Sequence, residues 1–272
     1  RLAASGGAGG ADLVAAVCEP VPVEVLLALL DLPADLAGPL REQAVVLGRQ
    51  DPDRAVAVAD NLLEWLRPVI RERRAAPPAD DLVAVLAHGD VDGRPLDDVE
   101  VFSHVRLLAI AGSDTVTRAM GNVLCALLTH PDQLDALRGD PALVGAGVEE
   151  ALRWECPAVS VPRIALRDVE LAGVAIPAGS AVRVGLGAAN RDPDRWAEPE
   201  RFDLTRAPLP NAAFGIGAHS CLGIHLAHAL LAHLVTTLLE RLPGLRLDPE
   251  QPVPAVVGTD LRSPERLPVR WG

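Results

Sequence analysis

Residues 207 to 239 carry no Asp, Glu, Lys or Arg, and inside that run lies Phe214-Gly215-Ile216-Gly217-Ala218-His219-Ser220-Cys221-Leu222-Gly223. A long uncharged stretch invites a membrane reading. Pro208, Pro210, Asn211, three glycines and four histidines, however, interrupt it well short of the ~18 clean apolar residues that a span needs. A glycine-broken apolar stretch is better explained as backbone wrapped around a buried group. Gly215 and Gly217 let the chain fold tightly and approach a flat ligand closely, and Gly223 lets a following helix pack against the loop.

That helix is predicted from Leu222 to about Leu239, with Leu226, Leu230, Val235 and Leu239 among its apolar positions. Cys221 then sits at or just before a helix N-terminus. There, free amide groups and the helix dipole favour the thiolate, the form of cysteine that ligates metals. A thiolate with one open side suits haem iron. Two other readings of the same residues stand beside this one. Cys221 could be a small buried hydrophobe, as most free cysteines are, or His219, Cys221, His225 and His228 could converge on zinc.

Upstream, Asp12–Cys18 and Val23–Leu30 read as two apolar helices separated by Pro20 and Pro22, and another helix is expected around Gly38–Gly48. Residues 53–74 are amphipathic, with Ala57, Leu62, Leu63, Leu66 and Ile70 facing inward. The run Arg71-Glu72-Arg73-Arg74 is read as a solvated helix end. Asp80 is expected to cap a short helix ending at His88, and Gly89–Pro95 to form a turn-rich loop. From Asp97 to Thr129 the pattern is helical for longer than most globular helices. Its middle reads Ala109-Ile110-Ala111-Gly112-Ser113-Asp114-Thr115. Gly112 removes a side chain where a flat ligand could lie, and Thr115 can bond back to the carbonyl of Ala111.

Two helices follow, Pro131–Arg138 and Pro141–Glu155. In the second, Glu150 and Arg153 share a face. After Pro157 come short alternating runs, Arg163–Leu166, Val169–Leu171, Val174–Ile176 and Ala181–Val184, which are strands of a small sheet. Leu245–Leu247 and Leu267–Trp271 read as terminal strands.

The balance of 25 basic against 37 acidic residues gives a net charge of -12, which argues against nucleic acid or an anionic membrane as partner. Four scattered cysteines without disulfide-like spacing, and no signal-peptide pattern, point to a cytoplasmic location. The chain opens on Arg1 and its only methionine is Met120, so its natural start is expected to be missing or removed.

Three motifs in order carry a resemblance: Ala111-Gly112-Ser113-Asp114-Thr115 matches AGxDT, Glu150-Ala151-Leu152-Arg153 matches ExxR, and Phe214–Gly223 matches FGxGxHxCxG. Together they resemble the cytochrome P450 family, the haem-thiolate monooxygenases, of the bacterial type. The resemblance implies a mainly α fold with small β-sheets and one P450-like domain over residues 1–272. That domain would begin near the family's D helix, since the family's first helices, first strands and cap loop have no counterpart here. It implies Cys221 as axial ligand of haem b (iron protoporphyrin IX), with Phe214 packed against the sulfur, and His219 and Arg163 on haem propionates. Ala111, Gly112, Gly215, Gly217, Ala218, Leu222 and Gly223 would line the cofactor. Asp114 and Thr115 become the acid and alcohol of a proton relay, and Glu150 with Arg153 a buried structural pair.

The activity implied is insertion of one oxygen atom of O2 into an apolar or biosynthetic small molecule, as in secondary metabolism. Electrons would pass from NAD(P)H through a ferredoxin and ferredoxin reductase to a monomeric, membrane-free enzyme. One departure stands out. The helix after the cysteine often carries an arginine near the position of His228, so electron-donor docking is expected to be weaker or differently arranged. The competing reading is a non-catalytic P450-like fragment or interaction module that binds haem weakly or not at all.

Overall fold

The computed structural model describes residues 9–40, 42 and 52–272. Most of the helix expected around Gly38–Gly48 lies outside these residues. In chain order the labelled elements are β1 (Gly9–Asp12), α1 (Pro20–Leu29), α2 (Pro52–Ala75), α3 (Leu82–His88), β2 (Asp90–Val91), β3 (Arg94–Pro95), α4 (Asp98–Thr129), α5 (Pro131–Gly139) and α6 (Val144–Trp154). They continue with β4 (Ser160–Ile164), β5 (Val169–Leu171), β6 (Val174–Ile176), β7 (Ala181–Gly185), α7 (Leu186–Ala189), α8 (Ile224–Arg241), β8 (Arg246–Leu247), β9 (Val256–Val257), β10 (Ser263–Pro264) and β11 (Pro268–Trp271). This is the mainly helical fold with small sheets that the motifs imply. The chain divides into two compact units, residues 15–117 and residues 1–14 with 118–272.

In the unit of residues 15–117, α1 begins at Pro20 and carries both prolines in its first turn. They start this helix rather than separate two, because the first-turn N–H groups have no helical partner and a proline loses nothing there. The expected helix Asp12–Cys18 is instead the end of β1 followed by a single π-helical turn, Val14–Cys18. Leu62, Leu66 and Ile70 of α2 are buried against Val23, Leu27, Val101 and Val105, while Ala57 is exposed. Arg73 and Arg74 are cross-links rather than a solvated end. Arg73 Nε lies 3.2 Å from Asp81 Oδ2, and Arg74 donates to Asp98 Oδ1 at 3.1 Å and to the Leu96 carbonyl at 2.9 Å.

The cap of α3 is Asp81, not Asp80: its Oδ1 accepts from Ala84 N at 2.9 Å. The expected loop Gly89–Pro95 contains a hairpin, β2 to β3, turned by Asp92 and Gly93 at φ of 53° and 78°. Asp-Gly is the sequence such a turn favours.

The long helix α4 starts at a reciprocal cap. Glu100 N donates to Asp97 Oδ1 at 2.8 Å and Asp97 N to Glu100 Oε2 at 2.9 Å, while Arg94 grips both oxygens of Glu100. The Arg94 hydrogen bond, and after it the Asp97 amide, pull the Glu100 carboxyl down from 4.5 to about 2. A lowered carboxyl pKa contributes stability that is complete above the unfolded value and is lost as pH falls through the folded one. The amide of Val101, bonded to the Asp97 carbonyl, is therefore expected to lose exchange protection as pH drops from 4.5 towards 2. Glu100→Gln should remove that pH dependence.

In the other unit, β1, β11 and β8 form an antiparallel sheet in which Gly9 faces Trp271 and Val269 faces Leu247. The gap beside Gly9 is filled by the Trp271 ring, 2.6 Å from where a Cβ would stand. Strand β4 pairs with β7 and β5 with β6, close to the expected strands, with β4 beginning at Ser160 rather than Arg163. Helices α6 and α8 pack together. The buried stripe of α8 is Leu231, Leu234, Val235 and Leu238, whereas the expected Leu226 is 40% exposed. In a helix this apolar, periodicity alone cannot select which stripe turns inward.

Candidate functional site

The loop 214–223 is set by two left-handed glycines, Gly215 at φ 68° and Gly217 at φ 75°. A Cβ on Gly215 would come within 3.2 Å of the His219 carbonyl oxygen, so both conformation and space select glycine there. Cys221 N donates to the Phe214 carbonyl at 2.8 Å and closes the loop on itself. Gly217–His219 form a single 3-10 turn, and Gly223 precedes α8.

This geometry singles out one sulfur. Cys18, Cys125 and Cys156 are buried, and Cys221 alone among the four is exposed. Burial, reinforced by the charge of Glu155, pushes the thiols of Cys125 and Cys156 up to about 11. Those two are packing residues. In the same loop Ile216 and Leu222 are 79% and 87% exposed. A lone soft sulfur on a glycine-flattened loop, bordered by uncovered apolar side chains, fits a broad apolar face with a metal at its centre, which is what a haem presents. The zinc alternative fails. Among the described residues, which include His219, Cys221, His225 and His228, no group of three or more His, Cys, Asp or Glu could hold a metal ion.

Behind the loop lies a buried charge network. Arg153 is 2% and Glu150 6% exposed. Arg153 donates Nε–H and one Nη2–H to the two oxygens of Glu150 at 2.8 and 2.9 Å. Its remaining hydrogens reach the carbonyls of Asn190, Pro199 and Arg201 at 2.9, 2.9 and 3.2 Å. All five guanidinium donors are thereby used. Arg206, which the motif reading does not single out, is the third member: its Nε lies 3.0 and 3.1 Å from the Glu150 oxygens, and its other nitrogens hold the carbonyls of Ala197, Glu198 and Arg201. Asn190, fully buried, accepts from Ala212 N at 2.6 Å and ties this network to the start of the cysteine loop. No spacing rule points to Arg206 or Asn190, because each acts across tens of residues.

The other expected residues fall as follows. His219 is exposed, and its ring makes no hydrogen bond among the described residues. Arg163 is exposed, and its one side-chain hydrogen bond among the described residues is to the carbonyl of Pro162. Each therefore has donors free for an anionic group. Ala218 is exposed too. In α4, Thr115 Oγ1 donates to the Ala111 carbonyl at 2.5 Å, as its position predicts. What Gly112 makes room for within its own unit is Leu26, whose methyl lies 2.9 Å from the place of a Cβ. Upstream of the loop, Arg191 stacks 5.1 Å from the Trp154 ring and bonds the Trp154 carbonyl, and Arg201 makes surface contacts with Glu198 and Asp203.

Comparison with known proteins decides what this arrangement is. Residues 140–260 match the family model described as Cytochrome P450. Cytochrome P450 105C1 of a Streptomyces species is 38% identical over 265 residues, which cover 96% of this chain and 68% of that protein. The chain belongs to the cytochrome P450 family. Cytochrome P450 monooxygenase PikC of Streptomyces venezuelae is 36% identical over 272 residues, covering 97% of this P450 chain and 64% of PikC. Among solved structures, a post-tailoring hydroxylase (HmtN) involved in himastatin biosynthesis superposes with a TM-score of 0.85 at 36% identity, over 97% of this chain and 70% of that one. The chain spans less than two thirds of the length of several curated P450 relatives, between 48% and 66% of each.

The Glu150–Arg153–Arg206 cluster joins α6 to the carbonyls of Asn190, Ala197, Glu198, Pro199 and Arg201. No helix among the described residues is long and apolar enough to cross a membrane.

Proposed function

We propose that this P450 serves as a haem-thiolate monooxygenase that inserts one oxygen atom of O2 into an apolar or biosynthetic small molecule. The observation that carries the reading is the exposed Cys221 on its two-glycine loop, braced from behind by the fully satisfied Arg153. Cys221 would hold the iron, His219 and Arg163 the propionates, and Ile216 and Leu222 the porphyrin face. When bound, the haem supplies dioxygen activation, with the thiolate favouring O–O cleavage. Asp114 and Thr115 would bind and pass protons. Electrons would come from NAD(P)H through a ferredoxin and its reductase, to a monomer working in the cytoplasm.

The test supplies hemin-loaded protein with ferredoxin, reductase, NADPH and isotopically labelled dioxygen, against a panel of apolar compounds. Products heavier by one labelled oxygen atom support the reading. A protein that shows no saturable Soret shift with hemin and transfers no oxygen is the non-catalytic module instead.

A further inference from the structure

The cysteine loop is flanked on both sides by residues that contact one carboxylate, which the P450 motifs leave unassigned. Glu149 precedes Glu150 on α6. Its Oε2 accepts from Asn211 Nδ2 at 3.0 Å, three residues before Phe214. Its Oε1 lies 2.8 Å from His228 Nε2 on α8, in close contact without the alignment of a hydrogen bond. The His228 ring in turn meets the Phe214 ring edge to face, centroids 4.8 Å apart and planes at 74°. Phe214 is the residue whose carbonyl holds the amide of Cys221. A chain of contacts therefore runs from Glu149 through His228 to Phe214 and on to the backbone of the cysteine.

We propose that His228 is a positioning residue for the thiolate: held by Glu149, it fixes the Phe214 ring and so the seating of Cys221. The inference rests on the haem-thiolate reading above. The imidazole is 30% exposed in its side chain and stands where α8 leaves the loop, so it bridges the helix and the Phe214 ring. Edge-to-face ring pairs constrain orientation as well as adding attraction. Groups that orient a metal ligand from behind typically change metal retention 10–100-fold when removed. Histidine at this place thus gives the loop an aromatic strut that a longer aliphatic cation could not supply in the same geometry.

The experiment compares full-length wild type, His228→Ala and His228→Phe after hemin loading. Haem transfer to excess apomyoglobin gives the rate of haem loss, the reduced carbon monoxide spectrum gives the fraction in the thiolate form, and thermal unfolding of the haem-free proteins gives the folding control. Expected is about tenfold faster haem loss and a larger neutral-thiol fraction in His228→Ala, with His228→Phe close to wild type because its ring still meets Phe214. The inference is overturned if wild type shows the thiolate band and His228→Ala matches it in both rate and band, or if His228→Phe fails as fully as His228→Ala. A wild type without the thiolate band overturns the haem-thiolate reading itself.

Discussion

Arg153→Ala is expected to destabilise the protein by about 3–5 kcal/mol, the usual cost of removing one partner from a buried ion pair. Set against a total stability of about 5–15 kcal/mol for a domain, that leaves much of the protein unfolded or close to it. The physical reason is the number of groups orphaned at once. Both Glu150 oxygens lose a donor, and the carbonyls of Asn190 and Pro199 lose theirs, around a pair that is itself buried with Asn190. Arg206 remains on Glu150 and on the Arg201 carbonyl but cannot replace the contacts to the Asn190 and Pro199 carbonyls. Arg153→Lys should rescue little, because an ammonium has three donors at one point where the guanidinium has five in a planar fork. Urea denaturation of the three proteins measures this. A loss below about 1 kcal/mol in the alanine variant would place the pair among ordinary surface ion pairs.

Cys221→Ala is expected to do the opposite: leave stability nearly untouched and abolish thiolate ligation. An exposed side chain contributes little packing, and substitutions at such sites usually stay within about 0.5 kcal/mol. Cys156→Ala is the contrasting control. Cys156 is 1% exposed and bonds the Ala158 carbonyl at 3.3 Å, so its loss should lower stability while the thiolate haem spectrum survives. The pair of variants separates a sulfur that packs from a sulfur that binds, which chemical identity alone cannot do.

The local features of this chain are those its sequence makes legible. Gly215 and Gly217, the 32-residue helix Asp98–Thr129 and the back-bond of Thr115 follow from short-range rules, whereas the burial of Glu150 with Arg153 follows from the resemblance to the family and not from their spacing; the structure carries each of them. The features that escape are of two kinds. Boundaries shift where two rules compete, as at Pro20 and Pro22, which read as breakers in the abstract but act as starters in a first helical turn. Likewise Asp81 caps α3 although Asp80 is equally suited by type. Long-range partners escape altogether. Nothing near Arg206 reveals that it closes on Glu150 fifty-six residues away, and nothing near His228 reveals Glu149 or Phe214. The inward stripe of α8 belongs to the same group, since its choice depends on what α6 presents.

The most direct test of the central claim is the reduced carbon monoxide spectrum of the protein after titration with hemin. Ligation by the Cys221 thiolate predicts saturable one-to-one uptake and the strongly red-shifted Soret band of a thiolate–iron–carbon monoxide complex, absent in Cys221→Ala. A Soret band at the position given by a neutral ligand in wild type, or a red-shifted band that persists in Cys221→Ala, would contradict it.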